Sequence, residues 1–385
     1  MAQRIGAGVS EGSPGAARFA EAAASAAAGL DGATPDAVVI FGGGANLPWF
    51  QDGIAAVREH LPAETIIGCG AQGVLGAGRE VEGGGVAVWA ASLPDARIES
   101  FHIETEQLDD GRIAVGGLPD LDEAEALIAL VDPYSFPIEP LLGQLAEAQP
   151  GLPVIGGLAS AGGPGAGALI VDGELVGNGA VGLALSGVDF HSCVSQGARP
   201  IGPEMVVTAA EGSIVYELAS RPALDRIHQA IAELDADERQ QAARGLLIGV
   251  VVDENKPDYG RGDFLIRGLL GVDEEERSVR IGESMRVGQT VRLQVRDARS
   301  AHEDLHAALA AKRAELTAPP AGALMFTCNG RGSHMFGTPD HDSGLLDSAF
   351  DGAAAAGFFC AGEIGPVGLR NFVHGFTATI GVFGS

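Results

Sequence analysis

Positive charge is scarce in this chain: 24 Lys and Arg face 51 Asp and Glu, a formal net charge of -27. A nucleic-acid surface needs clustered cations to neutralise phosphates, so DNA and RNA are not expected partners. An anionic membrane surface is disfavoured on the same ground. The deficit is uneven. Residues 1–186 hold 24 acids and 6 bases and residues 187–385 hold 27 and 18, giving -18 and -9. An anionic ligand would need a local pocket in the arginine-richer second half. Long apolar runs are missing too: none reaches the roughly 18 residues of a membrane span. The opening MAQRIGAGVSEGSPG lacks the charged-then-apolar order of a secretory leader. The expected location is cytoplasmic.

Four cysteines, Cys69, Cys193, Cys328 and Cys360, lie far apart with no C-x-x-C pair. That pattern suggests neither a disulfide framework nor a structural zinc site, and leaves free buried thiols as the expectation. Nucleotide fingerprints are incomplete. GGGAN (42–46) and GGPGAG (162–167) follow strand-like runs, yet neither completes G-x-G-x-x-G before a helix, and there is no Walker A sequence. Both are read as tight turns, and no cofactor is expected. Aromatic residues make up 5%, hydrophobic ones 46% and charged ones 19% of 385 residues. This is the balance of a soluble globular protein, with length for two or three domains.

What is present is a repeated pattern. DAVVIFGGG (36–44), a helical stretch from Asp52 to His60, ETIIGCGAQG (64–73) and GGVAVWAASL (84–93) read as strand, helix, strand, strand. EALIALVDP (125–133), a helix from Pro137 to Ala148, PVIGGLASAGG (153–163) and GNGAVGLALSG (177–187) repeat it. The opening strands start at 36 and 125 and the second strands at 64 and 153, so 28 positions separate them in both copies. GALMFTCNG (322–330), a helix from Asp342 to Gly352, AGFFCAGEIG (356–365) and HGFTATIGVFG (374–384) form a looser third copy. Ahead of the first copy, Ser13-Pro14 and the Ala-rich stretch to Leu30 predict a capped helix with Pro at its first position.

Between the second and third copies the pattern changes. Residues 191–219 read as a three-stranded meander, and Leu224, Ile227, Ile231 and Leu234 lie at helical spacing. Further strands are predicted in 244–271 and 278–297, then a helix through Leu305, Leu309 and Leu316; DEEER (273–277) reads as a solvated loop. The fold class is mixed α/β: two modules of repeated strand-helix-strand-strand units, with mixed sheets packed by helices. The expected domains are 1–187 and 188–385.

Reactive side chains concentrate in CNGRGSHMFGTPDHD (328–342). Three chemistries compete for them. Cys328 at a strand end could be a nucleophile if a histidine such as His341 or His334 served as base and Arg331 supplied positive charge; a strand-end cysteine is otherwise a packing residue. His334, His341 and Asp342 could gather a metal, with Glu363 or His374 from other segments, although seven positions between the histidines match no tight ligand spacing. His341 and Asp342 could equally start a helix, where Asp suits the exposed amides. In the third chemistry Arg331 and Glu363 leave the carboxyl ends of neighbouring strands if those strands are parallel, and that is where open α/β sheets bind ligands. An Arg fork for a carboxylate and a Glu for an ammonium suit a zwitterion such as an amino acid. The alternative is an internal Arg331 to Glu363 salt bridge. Arg267 in DFLIRG and Arg199 in QGARPIG are further arginines that point inward or brace loops.

RGLLIG with GDFLIRG, RIGESMRVGQTVRLQVRDA, CNGRG, GFFCAGEIG and NFVHGFTATI resemble the C-terminal FIST domain. VVIFGGG, TIIGCGAQG and VIGGLASAG resemble the N-terminal FIST domain. The resemblance implies a bacterial intracellular signal-transduction sensor that binds small ligands such as amino acids, akin to the substrate-side region of some eukaryotic F-box proteins. Its motif residues fall here on Cys328, Asn329, Arg331, Gly362, Glu363 and His374, and no catalytic mechanism accompanies it. The chain runs one residue past VFG with no output module after it, so a stand-alone protein is expected, one that either signals through a separate partner or is not a sensor. GCGAQG lacks the Ser-Thr and Glu common at that turn in relatives, which argues against a ligand role for the first copy. The small-ligand sensor leads. A hydrolase using Cys328 or a His/Glu metal site, and a protein-interaction adaptor, stand as alternatives.

Overall fold

Three stretches of the chain fold the same way in the computed structural model, which describes residues 3–107, 113–163 and 168–385. The first repeat runs Ala37–Gly43, helix Phe50–His60, Thr65–Ala71, a hairpin of Gly73–Gly76 with Arg79–Glu82, and the return strand Val86–Ser92. The second runs Ala126–Val131, helix Ile138–Ala148, Val154–Leu158, a hairpin of Leu169–Val171 with Glu174–Val176, and Ala180–Ser186. The third runs Gly322–Cys328, helix His341–Ala349, Ala354–Cys360, a hairpin of Glu363–Val367 with Arg370–His374, and Thr377–Phe383. In each, the first two strands are parallel and the return strand is antiparallel to the first. The sheets are therefore mixed, as expected.

Glycine marks one repeated position. A Cβ on Gly68, Gly156 or Gly357 would lie 2.2, 1.8 or 1.7 Å from the carbonyl oxygen of Ile40, Ala129 or Met325 on the neighbouring strand. Only glycine admits that approach, and it occurs at the same place in all three repeats.

The hairpins are the part the repeat pattern did not predict. Their strands are short and partly exposed, so they carry little hydrophobic alternation. Each hairpin leaves its own repeat and extends the sheet of another. Residues 73–82 pair with Ala354–Cys360 of the third repeat, 169–176 with Thr65–Ala71 of the first, and 363–374 with Val154–Leu158 of the second. The exchange is cyclic and ties all three repeats together. They enclose one core, in which the few aromatics concentrate: Phe41 stacks on Phe358 at 5.0 Å and meets Phe326 edge-on at 6.3 Å. Each such ring, fully buried, contributes about 2–3 kcal/mol.

The compact units do not follow a cut at residue 187. One contains the chain up to Val194 with His306–Val373 and Ala378–Ser385, so the three repeats belong to it except for His374 and Thr377; the other contains Ser195–Leu305 and His374–Thr377. In the second unit Ala198–Glu211, Thr290–Arg296, Leu246–Val251, Phe264–Asp273, Ser278–Ile281 and Ile214–Leu218 pair in that order, and the last pairs back to the first, closing a barrel. Helices Ala223–Glu233 and Ala236–Arg244 belong to this unit, the first burying Leu224 and Ile227. Arg199 braces here against Glu238 and Gln241.

Two local expectations change. The first helix is Ala16–Gly29, preceded by Gly15 with no side-chain cap, so Ser13 and Pro14 lie outside it. The GGGAN turn forms a 3-10 segment, Gly44–Trp49, held by Asn46 Nδ2 donating to Gly84 O at 2.6 Å. Residues 164–167 of the GGPGAG turn lie outside the described residues. Among the described residues no helix is long and apolar enough to cross a membrane.

Candidate functional site

Strand Gly322–Cys328 is buried along its whole length and ends where the CNGRG turn begins. The turn is pinned by backbone: Asn329 N donates to Cys360 O at 2.9 Å and Arg331 N to Cys328 O at 2.8 Å. Arg331 then folds inward rather than into solvent, 1% exposed. Its Nε and Nη2 donate to Asp342 Oδ2 and Oδ1 at 2.5 and 2.8 Å, a fork-to-fork pair sealed from water. Asp342 also accepts from Thr327 Oγ1 at 2.7 Å and meets His341 Nδ1 at 2.8 Å. Burial alone would push this carboxyl up; the Arg331 charge and the bonds from Arg331, His341 and Thr327 outweigh it and hold Asp342 well below the usual carboxylate range. Burial opposes the Arg331 charge, while Asp342 first and then Glu363 sustain it.

Phe336 covers this pair. The Arg331 guanidinium sits 5.2 Å from its ring centre, and the ring stacks on His341 at 3.4 Å and 8°. Phe336 ends a single helical turn, Ser333–Phe336, flanked by Gly332 at φ 98° and Gly337 at φ 73°, both left-handed.

The first repeat braces the site from its hairpin. Glu80 Oε1 accepts from the amides of Asp342 and Ser343 at 2.8 and 3.0 Å, Glu80 N donates to Asp340 Oδ1 at 2.6 Å, and Ser333 N donates to Glu82 Oε1 at 2.7 Å. Burial, then the charge of Asp342, pushes Glu80 up to about 7 against the pull of the two amides. After all these bonds, Arg331 Nη1, Asn329 Oδ1, Ser343 Oγ and Glu80 Oε2 remain buried with no hydrogen-bond partner among the described residues.

The expected site residues divide. Cys328, Asn329, Arg331, His341, Asp342 and Glu363 belong to the unit of the three repeats, with Arg331 and Glu363 beyond the carboxyl ends of parallel strands. Glu363 is fully buried and attracts Arg331 electrostatically. Arg331 gives Nε and Nη2 to Asp342, a partner not expected from the sequence, and the charge of Glu363 adds to it. Asp342 does not cap a helix with its carboxylate; Asp340 holds that position and Glu80 satisfies the amides. Arg267 and His374 belong to the second unit, Arg267 Nε donating to Glu283 at 2.6 Å. His334 is exposed on the Ser333–Phe336 turn. With both Asp342 oxygens engaged, a His334, His341 and Asp342 metal set does not form, and no group of three or more ligating side chains is placed for a metal among the described residues. Sequence reasoning missed Thr327, Phe336, Glu80 and Glu82. The alternation in REVE (79–82) is the one local hint of the two glutamates.

A family model of the FIST N domain matches residues 36–221, and one of the FIST C domain matches residues 223–366. An uncharacterized protein of Mycobacterium tuberculosis is 43% identical over 382 residues, covering 99% of each chain. An uncharacterized protein of Mycobacterium bovis is 40% identical over 383 residues, covering 99% of this chain and 98% of its own.

Proposed function

Since the chain belongs to the FIST family, whose domains bind small ligands in signal transduction, we propose that it is a cytoplasmic sensor of a small carboxylate or zwitterion, such as an amino acid, bound at Arg331. The observation that carries this is Arg331 Nη1, a donor on a fully buried cation that Asp342 leaves unused. An unpaired buried donor costs about 1–3 kcal/mol, and a ligand carboxylate would supply its acceptor. Asn329 Oδ1 and Glu80 Oε2 offer acceptors for an ammonium group. Entry requires Phe336 to swing away, with Gly332 and Gly337 taking up the backbone change. The exposed turn that moves is then the surface a separate signalling partner would read.

The test is thermal denaturation with a panel of amino acids and small carboxylic acids. Wild type should be stabilised by at least one of them, and Asn329→Ala should weaken that response. If no member of the panel shifts the wild-type protein, the proposed ligand class is wrong. One observation favours a second reading. Asp342 beside His341 Nδ1 orients that ring as a general base would be oriented. Hydrolysis of an activated ester that His341→Asn abolishes would support it, and its absence would leave the sensor alone.

A further inference from the structure

Cys328 and Cys360 are direct partners in the parallel ladder of the third repeat. Ladder partners share a face, and Phe326 and Phe358, two positions earlier on each strand, both point into the core. Adjacent strands run about 4.8 Å apart, within the roughly 4.4–6.8 Å Cα separation of disulfides. We infer that Cys328 and Cys360 form a reversible thiol–disulfide switch, closed by a peroxide, at the base of the turn that carries Arg331.

The two thiols are unequal in the way such a switch needs. Cys328 sits at the strand end, 9% exposed, where its Sγ accepts from Gly330 N at 3.3 Å and the Arg331 charge attracts a thiolate. Cys360 has no exposure; burial first, then the charge of Glu363 and the neighbouring thiols of Cys69 and Cys328, push its thiol up. Cys328 therefore reacts first and Cys360 resolves. The Cys328 thiolate attacks one peroxide oxygen, forming a sulfenic acid and releasing hydroxide. Cys360 then attacks the sulfenic sulfur, forming the S–S bond and releasing water after its own proton is lost. Two thiols give up two electrons, and one hydrogen peroxide becomes two waters. Cα spacing permits the bond, while a parallel pair holds its Cβ atoms wider than disulfides favour, so the closed form is readily reduced. Arg331 N bonds to Cys328 O and Asn329 N to Cys360 O, so closure acts directly on the turn. This inference stands whether or not a carboxylate binds there.

The experiment treats the full-length protein with hydrogen peroxide, alkylates remaining thiols under denaturing conditions and maps the digest by mass spectrometry. The expected result is a Cys328–Cys360 linked peptide that dithiothreitol removes. In Cys360→Ser, Cys328 should instead accumulate as a dimedone-trapped sulfenic acid. In Cys328→Ser, oxidation of Cys360 should slow by about tenfold or more, because its fast route is through Cys328. A wild-type digest in which Cys328 oxidises without linking to Cys360 would overturn the inference. So would linkage of Cys360 to Cys69, or a Cys360 that oxidises as fast without Cys328.

Discussion

Glu80 closes the amino terminus of a helix that lies 262 residues further along the chain, its Oε1 bound to the amides of Asp342 and Ser343. One repeat thus supplies the anion that another repeat's helix requires. The contact sets Glu80 beside Asp340 and the amide of Asp342, whose own carboxylate holds Arg331. Arg331, His341 and Thr327 together compensate the buried Asp342 charge, whereas the two amides do not fully compensate Glu80.

Stability should therefore fall as pH rises past Glu80. Its ordinary value is 4.5 and it is pushed up to about 7 in the fold. Between those values the folded protein holds a proton that the unfolded chain has lost, so the stabilisation present below 4.5 disappears as pH passes 7. Asp342 has the opposite sign and loses its contribution only in strong acid, outside this window. Urea unfolding at pH 5 and pH 8 should differ by about 2 kcal/mol in wild type. Glu80→Gln, which keeps the Oε1 acceptor, should remove most of that difference; an unchanged slope would place the titration elsewhere.

Removing one member of the Arg331–Asp342 pair should cost more than removing both. Both side chains are buried to within 1%, so Asp342→Asn leaves a guanidinium without its counter-ion, at about 3–5 kcal/mol. A neutral Arg331→Met should recover part of that loss when combined with Asp342→Asn. The double-mutant cycle in denaturant unfolding measures the coupling, and additive effects would contradict the pairing.

The long apolar strands were legible in the sequence because they are buried on both faces, as in AVVIFGG and GALMFTC. The parallel pairing of Gly322–Cys328 with Ala354–Cys360 did not follow from that pattern alone; the fold supplies it, and with it the common origin of Arg331 and Glu363. The partner of Arg331 did not follow either. Asp342 has the address of a helix-starting aspartate, and only the tertiary fold turns its carboxylate inward onto Arg331, Thr327 and His341. Glu80 and Glu82 were out of reach for a different reason. Hairpin exchange brings them to the site, and a strand of four residues such as Arg79–Glu82 carries no signal for which sheet it will join.

Phe336 should behave as a cover. Phe336→Ala removes the stack on His341 and the face beneath Arg331, a loss of about 1–2 kcal/mol in global stability. The local effect should be larger than the global one. Hydrogen exchange of the Arg331 amide, which bonds to Cys328 O, should accelerate well beyond the change expected from global unfolding. Equal acceleration across the whole unit would mean that Phe336 packs without gating anything.

The threefold repeat makes its own forecast at Gly68, Gly156 and Gly357. A methyl group at any of them would fall within 2.2 Å of a carbonyl oxygen on the adjacent parallel strand. Neither backbone can retreat without breaking the ladder that joins Ile40, Ala129 or Met325 to its neighbours. Each Gly→Ala change should therefore destabilise the protein by about 3 kcal/mol, at the upper end of overpacking. Gly357→Ala carries a further consequence, because its strand also bears Cys360 and the hairpin pairing of residues 73–76. Thermal unfolding of the three variants should give losses of similar size. A Gly357→Ala protein as stable as wild type would show that the strands are spaced more widely than this ladder requires, and would remove the basis for equating the three repeats at that position.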